Sequence, residues 1–164
     1  QKVTIVGGGG AATAIQVQLA LDGAKEISIF NIKDAFFGRI VETAKRIEAE
    51  VPSCKVNVYD LADDEKMKKE IQSSNIFVNA TIVGMKPMDD KSVVKDPSWF
   101  HKDLVVADTV YNPLETKLLK DAKAAGCKTV GGQGMLLWQG VAAFKLYTGM
   151  DMPVDEVKEK FFAE

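Results

Sequence analysis

The sequence predicts a doubly wound α/β domain: a six-stranded parallel sheet in the order 3-2-1-4-5-6 with helices on both faces. Three observations carry the prediction. Short apolar runs alternate with helical periods along the chain. The runs are nearly continuous in Val, Ile and Phe, the pattern of strands buried on both faces of a parallel sheet. The first run leads directly into four glycines and then a helical segment. Right-handed crossovers between such strands give the dinucleotide-binding topology, whose ligand lies outside the carboxyl ends of the strands, at the switch point between strands one and four.

The elements follow in order. Residues 3–6 (Val-Thr-Ile-Val) read as a strand, followed by Gly7-Gly8-Gly9-Gly10. Residues 11–21 read as a helix that stops at Asp22-Gly23, and 27–30 as a second strand. Residues 34–50 set Phe37, Ile40, Val41, Ala44 and Ile47 on one helical face, and Pro52 ends the helix. Residues 55–59 alternate like a strand, 63–73 form a charged amphipathic helix, and 76–78 a fourth strand. Residues 84–101, with Pro87, Pro97 and Asp89-Asp90, read as loop. A strand at 104–107, a helix at 114–125 closed by Gly126, a strand at 128–130 and helices at 134–148 and 154–162 complete the series.

Composition bounds the function. The 164 residues suit one domain, 1–164, and 21 basic against 23 acidic side chains leave a net charge of −2. That balance argues against a nucleic-acid binder, which shows a basic excess or stripe. With 46% hydrophobic and 27% charged residues the chain is an ordinary globular one. No apolar run of about 20 residues offers a membrane span. Cys54 and Cys127 alone make neither a disulfide scaffold nor a zinc site, and both are expected to be reduced and buried beside strands. Gln1 is not a start methionine and stands one residue before a strand, which is expected of a piece cut from a longer protein.

The glycine loop is the first chemical signal. Gly7, Gly9 and Ala12 occupy the diagnostic places of G-x-G-x-x-A between a strand and a helix. Gly7 permits the tight turn, Gly9 lets the backbone approach a pyrophosphate, and Ala12 keeps helix and strand close. Gly8, Gly10 and Ala11 complete a loop whose free N–H groups and positive helix end attract an anion. No G-K-[ST] follows, so this is not a nucleotide-triphosphate loop. A plain tight turn is the alternative.

The second strand tip reads Asn31-Ile32-Lys33-Asp34. Asp34 stands 22 residues past Ala12, near the usual offset of about 20 for the acid on the adenosine ribose. It is equally suited to cap the following helix. An acid there favours NAD. Lys33 could instead meet the 2′-phosphate of NADP, although a solvated surface lysine is the simpler reading. The loops after strands four, five and six carry Asn79 to Met85, Thr109-Val110-Tyr111-Asn112-Pro113 and Gly131-Gly132-Gln133-Gly134-Met135. In this topology all three converge on the nicotinamide end, where glycines allow close contact and Met135 can press on a flat ring.

Five segments together carry a family resemblance. They are Gly-Gly-Gly-Gly-Ala-Ala-Thr-Ala (7–14), Phe30-Asn31, Asn79-Ala80-Thr81 with Val83-Gly84-Met85, Val110-Tyr111-Asn112-Pro113, and Gly134-Met135-Leu136-Leu137-Trp138-Gln139-Gly140. They resemble the C-terminal nucleotide-binding domain of the shikimate/quinate dehydrogenase family over essentially the whole chain. The last segment argues against glutamyl-tRNA reductase-like and methylene-tetrahydrofolate dehydrogenase-like domains. A stand-alone module that senses dinucleotide is a further alternative.

The resemblance implies hydride transfer between a nicotinamide and the hydroxyl-bearing ring carbon of shikimate or quinate, in a cytoplasmic enzyme of aromatic amino acid biosynthesis. It implies that Gly8 to Ala11 hold the pyrophosphate and Asn31 to Asp34 the adenosine end. Ile82, Thr109, Val110, Tyr111, Asn112, Gly132 and Met135 would line the nicotinamide half. Gln139 would reach the substrate, with Tyr111 nearby; read alone, Gln139 is more simply a helix-surface glutamine or one held by an internal hydrogen bond. Residues 30–37 resemble the branch of the family that uses NAD, and strict NADP members have an arginine where this chain has Ile32. The family's catalytic Lys/Asp pair lies in an N-terminal domain that nothing here matches, so the chain is expected to bind cofactor without turnover. His101 reads as a solvated loop side chain, and the charged run from Asp63 to Glu70 as a wet helix face. Val157, Phe161 and Phe162 on the last helix are expected to be exposed enough to favour a homodimer.

Overall fold

The computed structural model describes residues 1–162. Its elements are β1 (Lys2–Val6), α1 (Gly10–Leu21), β2 (Glu26–Asn31), α2 (Phe37–Glu50), β3 (Lys55–Asp60), α3 (Asp64–Ser73), β4 (Ile76–Asn79), β5 (Val105–Asp108), α4 (Lys117–Ala124), β6 (Lys128–Val130), α5 (Gln133–Thr148) and α6 (Val154–Phe161). A single 3-10 turn, Pro97–Trp99, interrupts the long loop before β5. The strands form one sheet in the order β3-β2-β1-β4-β5-β6, and every pairing is parallel. At the carboxyl edge Val6 lies between Phe30 and Asn79, which puts the first glycine turn at the centre of the sheet.

Alternation along each strand builds two cores. Val3, Ile5, Ile27 and Ile29 turn toward Ala12 of α1 and Ile40, Ala44 and Ile47 of α2. Val6, Phe30, Phe77 and Val106 turn toward Met67 and Ile71 of α3 and Leu118, Leu119 and Ala122 of α4. Burying each of these Val, Ile, Leu, Phe and Met side chains contributes roughly 1.5–3 kcal/mol, so both faces of the sheet carry the fold. Cys54 and Cys127 are free thiols, both buried, in these two cores.

Two helices begin three residues later than their periodicity suggests. The Asp34 carboxylate accepts the Phe36 N–H at 2.9 Å, and its carbonyl accepts the Phe37 N–H at 3.1 Å. Asp34 therefore shapes a turn, and α2 opens after Phe36 with no side-chain cap. At α4 the Thr116 hydroxyl accepts the Leu119 N–H, which sets the start at Lys117.

Two polar expectations are corrected. Glu70 is not on a wet face: it is 4% exposed, between Met67 and Ile71 on the buried side of α3. It accepts hydrogen bonds from Ser28 Oγ and Lys2 Nζ, both at 2.7 Å, and pairs with Lys66 Nζ at 2.6 Å. His101 is half-buried, with Nε2 3.1 Å from the Ser74 carbonyl oxygen.

The chain closes on an apolar arm. In α5 only Leu137 is buried; Leu146 and Tyr147 are 83% and 88% exposed, and α6 buries none of its residues. Among the described residues no helix is long and apolar enough to cross a membrane.

Candidate dinucleotide site

A cleft of about 500 Å³ opens at the carboxyl ends of β1, β2, β4 and β5. Its centre is the turn between β1 and α1. The Gly7 N–H donates to the Phe30 carbonyl at 2.8 Å, and buried Gln16 donates from Nε2 to the Gly7 carbonyl at 3.2 Å. Gly7 has φ of +124°, and a Cβ there would stand 2.7 Å from the Ala80 carbonyl oxygen. A Cβ on Gly8 would overlap the Ile40 side chain. Gly9 differs: nothing lies within 4 Å of where its Cβ would be. It is the N-cap of α1, which has no side-chain cap and no acid in its first turn. The first N–H groups of α1 thus face open space, a setting that suits a phosphate.

The rest of the cleft is mostly apolar. Val6, Gly7, Gly8, Gly9 and Ala11 form one wall, and Asn31 and Ile32 stand at the tip of β2. Leu61 follows β3; Ala80, Thr81, Ile82, Val83 and Met85 follow β4; Thr109, Val110 and Tyr111 follow β5. Tyr111 is the one ionisable side chain among these lining residues.

Buried hydrogen bonds shape the far wall. Asn79 donates from Nδ2 to the Val83 carbonyl and to Asp108, each at 2.9 Å. Asn79 Oδ1 accepts the Thr81 N–H at 3.1 Å and the Thr81 hydroxyl at 2.7 Å. Asp108 accepts the Val110 N–H at 3.0 Å and the Thr116 hydroxyl at 2.7 Å. These bonds fix the loops that carry Thr81 and Val110.

The structure brings nine of the expected residues to the cleft: Gly7, Gly8, Gly9, Ala11, Asn31, Ile82, Thr109, Val110 and Tyr111. The others lie off it. Gly10 borders a separate cavity with Gly8, Gly9, Phe36 and Arg39. Lys33, Asp34 and Asn112 are exposed beside it. Gly132 is buried, its N–H 3.3 Å from the Val110 carbonyl oxygen, and a Cβ there would collide with the carbonyls of Thr109 and Val110. Its lack of a side chain therefore serves packing beneath the β5 loop. Met135 is half-buried and Gln139 exposed on α5, both outside the cleft.

Sequence reasoning missed Leu61 and the Asn79–Asp108–Thr116 network. A signal was present for the last: two polar residues end adjacent strands that are otherwise apolar. For Leu61, which follows the third strand, no local signal existed.

Fold and cleft together define a doubly wound dinucleotide-binding domain. Comparison with known proteins narrows the class. The family profile described as Shikimate 5'-dehydrogenase C-terminal domain matches residues 132–160. A Streptococcus uberis protein named shikimate dehydrogenase (NADP(+)) is 53% identical over 163 residues, which cover 99% of this chain and 55% of that protein. A shikimate 5-dehydrogenase from Listeria monocytogenes, solved in complex with shikimate and NAD, is 48% identical with a TM-score of 0.91. The match covers 97% of this chain and 55% of that one. A quinate dehydrogenase from Corynebacterium glutamicum, solved with NAD, is 32% identical with a TM-score of 0.85, covering 99% and 55%. The chain spans about half the length of the relatives it matches. As a C-terminal NAD(P)-binding domain, it belongs to the shikimate/quinate dehydrogenase family.

Proposed function

We propose that this chain is the cofactor-holding half of an enzyme that interconverts a ring hydroxyl and a ring ketone on shikimate or quinate. The observation that carries the reading is the cleft at the switch point, where the uncapped start of α1 faces open space above Gly9. When bound, the nicotinamide supplies the carbon that accepts or gives up a hydride.

The chain's own residues bind and orient. The N–H groups at the start of α1 hold the pyrophosphate, with Gly8, Gly9, Gly10 and Ala11 at its back. Asn31 and Ile32 support the adenosine end, with Lys33 and Asp34 at its rim. Thr81, Ile82, Thr109, Val110 and Tyr111 wall the other half and exclude water from one ring face. Asn112, Gly132 and Met135 support that wall from the β5 and β6 loops. Gln139, presented by α5, together with Tyr111, contacts the substrate.

The lining residues hold no carboxylate, histidine or lysine to take the hydroxyl proton. Tyr111 is the one ionisable side chain among them. A proton acceptor must come within hydrogen-bond reach from elsewhere, and a preceding domain supplies it. The apolar, exposed faces of α5 and α6 are where that domain, or a second copy, would pack. The same reading places the enzyme in the cytoplasm.

NAD is the favoured cofactor, with NADP as the second choice. Ile32 at the cleft offers no charge to a 2′-phosphate, while the exposed Asp34 suits ribose hydroxyls and repels a phosphate. Lys33 beside it is the feature that favours NADP. The test is oxidation of shikimate and of quinate by the full-length protein with NAD or NADP, alongside binding by the present chain. Binding without turnover by the chain, and turnover by the full-length protein, is the expected result. No oxidation of either substrate with either cofactor would overturn the proposal.

A further inference from the structure

Asp108 ends β5 beneath the wall of the cleft, and the proposed chemistry does not use it. It is 3% exposed. Its Oδ1 accepts from Asn79 Nδ2 at 2.9 Å and from the Val110 N–H at 3.0 Å, and its Oδ2 accepts from the Thr116 hydroxyl at 2.7 Å. Every one of these partners donates, which holds the ionised form of a carboxyl group. Burial nevertheless outweighs the bonds from Thr116, Val110 and Asn79 and leaves its pKa above the ordinary carboxylate value.

The comparison with Glu70 is instructive. Glu70, the other buried carboxylate among the described residues, is paired with two lysines. Asp108 has no ion pair among the described residues. A charge buried without a counter-ion sets up a field that its low-dielectric surroundings do not screen. The nearest open space is the cleft, because Thr109 and Val110 line it, as does Thr81, which is bonded to Asn79. In doubly wound domains the adenosine half of a dinucleotide lies toward the β2 side of the switch point. The β5 side, above Asp108, is left to the nicotinamide half. That ring is cationic when oxidised and neutral when reduced.

We propose that Asp108 is the electrostatic counterpart of the oxidised nicotinamide and biases the site toward the oxidised dinucleotide over the reduced one. The proposal rests on the reading of the cleft as a dinucleotide site. Asp108 touches only protein, so it acts through its charge and not as a catalytic residue.

The test is the affinity of this chain for the oxidised and reduced forms of whichever dinucleotide it binds more tightly. Asp108→Asn keeps the size and removes the charge. It is expected to weaken the oxidised form about tenfold and the reduced form less than threefold, the scale of one charge–charge interaction across a layer of protein. Thr116→Val removes a donor and keeps the charge, so it should change both affinities by the same factor. An Asp108→Asn variant that weakens both forms equally would show a purely structural role and overturn the proposal.

If circular dichroism shows that Asp108→Asn does not fold, the wild-type chain decides. Oxidised binding more than threefold tighter than reduced binding supports the proposal. Affinities within threefold of one another, or tighter reduced binding, overturn it. Binding of no dinucleotide in either redox state would remove the underlying reading of the cleft, and this proposal with it.

Discussion

Gly7 and Ala80 meet across the first and fourth strands with no room for a side chain between them: a Cβ on Gly7 would stand 2.7 Å from the Ala80 carbonyl oxygen. With φ at +124°, Gly7 is also in backbone space that other residues avoid. Gly9, two residues on, has nothing within 4 Å of its would-be Cβ. One glycine serves the fold and the other the site, so their alanine variants should separate. Gly7→Ala is expected to lower stability by about 2–4 kcal/mol. Gly9→Ala is expected to keep the melting temperature and weaken dinucleotide binding at least tenfold. Thermal unfolding and titration of both variants check this; equal losses of stability would contradict it.

The Glu70 cluster gives a stability prediction. Burial alone would raise the carboxyl pKa, but the bonds from Lys2, Lys66 and Ser28 outweigh it and lower the value to about 2. A depressed folded-state pKa means the stabilisation is complete above the ordinary carboxylate range. It is lost as pH falls from about 5 toward 2. Replacing Glu70 by Gln should cost on the order of 2–4 kcal/mol at pH 7, because two lysines lose their partner. Urea unfolding at pH 7 and pH 3 checks it. The gap between wild type and variant should shrink at pH 3; a constant gap would show that the charge is not what matters.

How much of this was visible beforehand depends on what set each feature. The strand order and the place of the first turn were legible, because β1, β2 and β4 are short and apolar and the glycines follow directly. Helix starts were less so: Asp34 and Thr116 shape turns by side-chain bonds that a periodicity does not register. Glu70 sits three residues past Met67 and one before Ile71, on the apolar stripe of α3, but its charged neighbours Lys68 and Lys69 masked that position. The bond from His101 to Ser74 joins residues from different segments, so nothing local announced it. Gln139 lies among apolar neighbours on α5 and is exposed all the same, because that helix is largely exposed.

Cofactor preference is testable at Ile32. It is 57% exposed and lines the cleft at the tip of β2, without a cation to meet a 2′-phosphate. Ile32→Arg should raise affinity for NADP relative to NAD about tenfold, since a guanidinium forms a planar, charged fork for phosphate. Asp34→Ala should weaken NAD more than NADP. Parallel titrations with the two dinucleotides decide both; an Ile32→Arg variant with an unchanged ratio would place the 2′ position elsewhere.

The apolar arm should be adhesive. Leu146, Tyr147 and Phe161 are each more than 70% exposed, and exposed apolar patches favour association. Sedimentation velocity of the chain should show concentration-dependent self-association. Replacing Tyr147 and Phe161 by Ser should reduce it without lowering the melting temperature, because neither side chain is buried. A monomer at all concentrations would contradict the expectation.

The central claim is that the cleft above Gly9, between the tips of β1, β2, β4 and β5, holds a nicotinamide dinucleotide. The most direct measurement is calorimetric titration of the chain, and of its Gly9→Ala variant, with NAD and with NADP. The account predicts one dinucleotide bound per chain, NAD the tighter of the two, and a loss of at least tenfold in the variant. Binding that Gly9→Ala leaves unchanged, or no binding of either dinucleotide, would contradict it.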